Sequence, residues 1–183
     1  MDSKPVSAEY LKAGQDYQDA LIALGLTPYY LGWAWDIAGA EWNLALVTSV
    51  LDAGGPLRLN RLLFRAYNAQ ATPQTISPFI VRVLSPEVMP AEFWMMAYAR
   101  NLTISHTGER PDRPVQLEKP IRLEDARLEF LGLHFETSNG YEPKRPPTFV
   151  KDPQFPLAAP KVKFFDRRHE WEKFRDNVER LAA

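Results

Sequence analysis

The chain has 183 residues, 45% of them hydrophobic and 12% aromatic, which is enough for one domain with its own core and too apolar for a disordered segment. Its 22 basic and 23 acidic residues leave a formal charge of −1, so no global field draws it to nucleic acid or to an anionic membrane. Cysteine is absent, which removes disulfides, thiolate nucleophiles and cysteine-ligated metal centres and fits a reducing compartment.

The first ten residues, MDSKPVSAEY, hold no apolar signal core, and the longest apolar stretch, around Leu44 to Leu51, is short of the roughly 20 residues a membrane span needs. The expectation is therefore a cytoplasmic chain with no membrane partner. Ser7 is placed to cap a helix running to about Leu24. Tyr10, Tyr17, Leu21 and Leu24 share one side of it, and Gly25 is its stop.

Residues 32 to 49, GWAWDIAGAEWNLALVTS, hold three of the five tryptophans. Alternation puts Trp33 and Trp35 on one strand face, and Trp42, Leu44, Leu46 and Thr48 on one face of the next, with Ile37-Ala38-Gly39-Ala40 as the turn. A helix aligning Ile37, Glu41, Leu44, Thr48 and Leu51 competes, but Gly32, Gly39 and the alternation favour a hairpin. That hairpin is the expected central packing element, with Trp35 in the core and Asp36 and Glu41 at its exposed end.

Asp52-Ala53-Gly54-Gly55-Pro56 then breaks the chain and hands over to a helix that Pro56 can start. Leu59, Leu62, Leu63, Ala66 and Tyr67 give the clearest helical stripe, and Ala71-Thr72-Pro73 closes it. Phe79 to Leu84 reads as a buried strand, Pro90 to about Ala99 as a short helix and Leu102 to Thr107 as a strand. A polar, proline-bearing loop over 108–120, a strand from Arg127 to Glu136 and a turn at Asn139-Gly140 follow. This order predicts a single α+β domain over residues 1–142, with a mixed β-sheet packed against helices.

Six prolines lie between Pro143 and Pro160, a density that opposes helix and central sheet and favours an extended arm. Phe149, Phe155 and Leu157 interleave with them and gain by packing on a surface. Asp166 is positioned to cap a terminal helix bearing Trp171, Phe174, Val178 and Leu181 as a narrow stripe. Residues 143–183 thus read as a Pro-rich arm ending in an amphipathic helix, packed on the core or on a second subunit.

Candidate chemistry is sparse. Asp36, Glu41 and Asp52 are carboxylates of the kind that hold magnesium in hydrolases and nucleases, with Arg58, Arg61 and Arg65 as a phosphate clamp. No lysine lies between Lys12 and Lys119 to complete such a site, and arginine does not deprotonate. The three arginines, spaced by three and four, would fall beside the buried stripe of one helix and form an anion- or partner-binding face. Tryptophans could stack bases on an open sheet, although two on one buried strand belong more naturally to a core. His134 and Glu136 share a strand face, and with His106 and His169 elsewhere they define no metal site. The turn before Pro56 lacks the spacing of a P-loop or dinucleotide fingerprint. No cofactor or metal is expected. The leading expectation is a non-catalytic binding or assembly protein with a protein partner or as a homodimer, and nucleic acid enters only through the local arginine patch. The competing one is a metal-dependent hydrolase or nuclease, which requires Asp36, Glu41 and Asp52 to converge beside Arg58 and Arg61.

Overall fold

The computed structural model describes residues 5–98, 103–106, 115–116, 127–152, 154–155, 157, 161–164 and 167–181. Ser7 Oγ accepts the Tyr10 N–H and starts helix α1 (Ala8–Ala23). Its end is the one the spacing predicts. Gly25 takes φ +94°, its N–H donates to the Ile22 carbonyl, and the Leu26 N–H donates to that of Leu21. These two bonds satisfy carbonyls that the last turn would otherwise leave open.

The tryptophan-rich stretch is a hairpin. Strands β1 (Tyr30–Asp36) and β2 (Glu41–Val47) pair antiparallel, with Trp35 opposite Trp42 and Asp36 opposite Glu41. Helices α2 (Val50–Gly54) and α3 (Pro56–Asn68) follow, so the breaker is narrower than the sequence suggested. Asp52, Ala53 and Gly54 are helical, and only Gly55 separates the helices, because Pro56 opens α3 at the position where its missing N–H costs nothing.

The strand expected over Phe79–Leu84 loses its first two residues. Ser77 accepts the Phe79 N–H through Oγ and the Ile80 N–H through its carbonyl, which closes a one-turn 3-10 helix (Pro78–Ile80). Only β3 (Val81–Leu84) joins the sheet, parallel to β2. Helix α4 (Ala91–Tyr98) and strand β4 (Thr103–His106) lie where the sequence placed them. Of the expected loop at 108–120 only β5 (Val115–Gln116) is among the described residues, and it is a two-residue strand.

Arg127 to Glu136 is not one strand but parts of two. β6 (Arg127–Phe130) and β7 (Leu133–Gly140) are joined by Leu131-Gly132, with φ +51° and +76°. Two successive positive φ values make the two-residue hairpin turn whose twist matches its strands. Asn139-Gly140, expected to turn, instead ends β7 after an irregularity that lets Gly140 pair with Gly32 while Phe135 pairs with Ala34. Gly32 and Gly140 approach closely there, and the Tyr30 ring lies over both.

The main sheet has the order β3-β2-β1-β7-β6 and is mixed. A second sheet runs β5-β4-β8-β9, with β8 (Thr148–Lys151) between β4 and β9 (Lys161–Lys163). The Pro-rich segment therefore contains an interior strand, contrary to expectation. The reason is local: Pro146 and Pro147 precede Thr148–Lys151 and Pro153 follows it, so every N–H of that window remains free to pair. Phe149 is buried there, whereas Phe155 and Leu157 are exposed.

Two cores flank the main sheet. On one face Trp33, Leu44 and Leu46 meet Tyr17 and Leu21 of α1, Leu59, Leu62 and Leu63 of α3, and the last helix, α5 (Arg167–Leu181). Trp171, Phe174 and Val178 of α5 are buried in this core, so the terminal helix packs on its own domain. Gly54 admits the Trp171 ring, which any larger residue there would strike. Leu181 stays exposed, and the expected cap, Asp166, lies outside the described residues. On the other face Tyr30, Ala34, Ala45 and Val47 meet Phe93 and Trp94 of α4, Phe135 and Phe149. Among the described residues the result is an α+β arrangement of five α-helices on a mixed five-stranded sheet with a smaller sheet beside it. Among the described residues no helix is long and apolar enough to cross a membrane.

Candidate functional site

The three carboxylates singled out in the sequence do not meet. Asp36 is not at an exposed end but buried, at 8% exposure. Its Oδ1 accepts the N–H groups of Ala38 (3.0 Å) and Gly39 (2.9 Å), and its Oδ2 receives Arg82 Nη2 at 2.8 Å. The Gly39 N–H first and the Arg82 guanidinium next hold this carboxyl below the usual carboxylate range. It is a turn-closing group with its oxygens already engaged. Glu41 stands opposite it and is exposed, while Asp52 lies in α2 beyond the far end of β2. Seven residues of strand separate the two ends by about 20 Å, several times the span of one metal site.

The histidines give no metal centre either. His134 has Nδ1 3.5 Å from Glu129 Oε1 and Nε2 3.4 Å from Glu136 Oε1. Glu136 also receives Arg127 at 3.8 Å and Asn139 Nδ2 at 3.4 Å, so this is a charge-paired strand face. His169 is exposed on α5, and the side chain of His106 lies outside the described residues. Among the described residues no three His, Asp or Glu side chains are grouped to hold a metal ion.

The tryptophans divide between two roles. Trp33 is fully buried; its Nε1–H donates to Tyr141 Oη (2.8 Å), whose own hydroxyl donates to the Leu11 carbonyl (2.8 Å). Tyr10 stacks on the same indole at 5.1 Å. Trp35, expected in the core, is only half-buried and rests edge-on against Trp42 at 5.4 Å. Neither ring is an open base-stacking platform. Behind the sheet, the Tyr30 and Tyr98 hydroxyls, the Trp94 Nε1 and the Asn43 amide are buried without a hydrogen-bond partner among the described residues, and burial pushes both tyrosines up.

Helix α3 is different. Its sequence, PLRLNRLLFRAYN, contains no acidic residue. Leu59, Leu62, Leu63 and Ala66 turn inward, which leaves Arg58, Arg61 and Arg65 exposed along one side, as the spacing predicts. None of the three makes an ion pair or a side-chain hydrogen bond among the described residues. Next to them on the outward face are Leu57, at 64% exposure, and Phe64. The Phe64 ring meets Phe79 edge-on at 4.9 Å, and Phe79 is 81% exposed.

Phe79 is held in that position by its neighbours. Ile76 and Pro78 are buried on either side of Ser77. Tyr67 Oη donates to the Gln74 carbonyl (3.2 Å) and Gln74 Nε2 donates to the Tyr67 carbonyl (2.8 Å), which braces the loop from α3 to the 3-10 turn. Sequence reasoning found the arginines and missed Phe79. The signal was present in Ser77-Pro78, a turn-initiating pair that argues against starting a strand at the next residue. Compared with the models of known protein families, with curated proteins and with solved structures, the chain matches none.

Proposed function

We propose that the chain is a non-catalytic binding or assembly protein that docks a protein partner on the outward face of α3. One observation carries this reading: three exposed arginines without a carboxylate partner lie beside exposed Leu57 and the Phe64–Phe79 pair. Arginine offers five donors in a planar fork that matches carboxylates, and arginine and aromatic residues dominate the energetic centres of interfaces. A rigidly presented phenylalanine gains about 25 cal/mol for each Å² of apolar surface that a partner covers. The hydrolase reading has no comparable support, because its carboxylates stand apart and Asp36 is occupied by the hairpin turn. A cytoplasmic setting belongs to the same proposal and rests on the lack of cysteine.

The test uses fluorescein-labelled poly-L-glutamate as an anionic probe at low ionic strength. Wild type is expected to bind it saturably, and the Arg58→Gln/Arg61→Gln/Arg65→Gln variant to lose at least about tenfold in affinity with an unchanged thermal midpoint. A charge-matched control, Lys12→Gln/Arg168→Gln/Arg180→Gln, should bind as wild type does. Equal weakening by both triple variants, or no binding by wild type, removes α3 as the docking face.

A further inference from the structure

We infer that the partner seated on α3 is an acidic amphipathic helix of another protein; this rests on the docking face proposed above. The outward face of α3 carries two adjacent stripes. Leu57 and Phe64, one apolar stripe, are seven residues apart, and Phe79 widens it at the Phe64 end. Arg58, Arg61 and Arg65 form the second stripe beside it. At about 1.5 Å per residue the basic stripe spans about 10 Å, two helical turns. A partner helix with apolar residues at i, i+3 or i+4 and i+7, and carboxylates along the same edge, presents the complementary pair of stripes at the same pitch.

Nucleic acid fits this face less well. A strip of about 10 Å meets only two or three phosphates of a strand. A net charge of −1 adds no attraction beyond the strip. Phosphates would also leave Leu57 uncovered, whereas an apolar partner side chain would bury it. An exposed aliphatic residue beside the arginines therefore points to a protein surface with apolar and acidic groups interleaved.

The experiment measures fluorescence anisotropy at about 0.15 M salt, where bare charge attraction is screened beyond about 8 Å. The probe is a synthetic peptide of about 15 residues, four helical turns, with leucines on one stripe and glutamates along its edge. A scrambled peptide of the same composition and a single-stranded RNA of similar length are compared with it. The ordered peptide should bind wild type at least about tenfold more tightly than the scrambled one, and Phe79→Ser or Leu57→Ser should erase that preference. Leu57 is exposed, so Leu57→Ser should keep the wild-type thermal midpoint, whereas Phe79→Ser also gives up its edge-on contact with Phe64 and should lower the midpoint by only a few degrees. At low salt both variants should still bind poly-L-glutamate. Equal binding of ordered and scrambled peptides, or a preference untouched by Phe79→Ser, overturns the amphipathic-helix inference and leaves the docking face standing. Tighter binding of the RNA overturns it in favour of a nucleic-acid partner. Failure of poly-L-glutamate and of both peptides removes the docking face as well.

Discussion

Arg82 on β3 reaches across β2 to Asp36 on β1, placing Nη2 2.8 Å from Oδ2, so one ion pair ties three neighbouring strands together. The other Asp36 oxygen closes the β1–β2 turn through Ala38 and Gly39. Since the folded state holds this carboxyl below its ordinary value, the stabilisation is complete above about pH 4 and is lost as pH falls through the lower folded value. Asp36→Asn keeps an acceptor for the turn but loses the charge. It should cost about 1 kcal/mol at neutral pH and show a shallower loss of stability as pH falls below about 4. Urea unfolding at several pH values checks this, and an unchanged acid slope would mean that Asp36 does not report the transition.

The two tryptophans of β1 should differ in cost. Trp33→Ala opens a cavity in the main core and removes a hydrogen bond, so it should destabilise by about 3–5 kcal/mol. Trp35→Ala removes a half-buried ring that touches Trp42 and should cost about 1–2 kcal/mol. Denaturant unfolding of both variants gives the ratio; equal costs would place Trp35 in the core after all.

Glu170 of α5 is a buried carboxylate that accepts the Thr27 N–H at 2.7 Å and Arg145 Nη1 at 2.6 Å. Arg145 in turn lies over the Tyr29 ring, 5.7 Å from its centroid. Arg145→Met strands the charge and should cost about 2–3 kcal/mol. Arg145→Met/Glu170→Met should recover part of that loss, because no unpaired charge is left inside. A double mutant as unstable as the sum of its singles would show that the pair is not coupled.

At the β6–β7 turn, Leu131 holds φ +51° with its side chain largely in water. Asparagine adopts that backbone far more readily and is favoured at this turn position. Leu131→Asn should therefore stabilise the fold by about 0.5–1 kcal/mol, read as a rise in thermal midpoint. A fall would mean that Leu131 makes an apolar contact that outweighs its strain.

How much of this was legible depends on how far along the chain each interaction reaches. Helix α1 was readable because Ser7, Gly25 and the tyrosine–leucine stripe act within a few residues of the bonds they make. The β1–β2 hairpin, α3 and its arginine side, and the stripe of α5 were readable for the same reason: periodicities of 2 and 3.6 are written in neighbouring residues. The small sheet was not. Thr148–Lys151 becomes an interior strand only because β4, more than forty residues earlier, lies alongside it, and nothing inside a four-residue window flanked by prolines announces that partner. Leu131 misled the reading of β6 and β7 because leucine rarely takes positive φ, and the turn forms where the paired strands demand it. The candidate site shows the same split. Three arginines on one helix face could be read from their spacing. Whether they found acidic partners, whether Asp36 was free or held by Arg82 46 residues away, and whether Phe79 sat in a sheet or in water were decided by tertiary contacts. Local hydrogen bonds and side-chain periodicity depend on residues that are always close together. Strand pairing, ion pairing and exposure depend on segments that only the folded chain brings into contact.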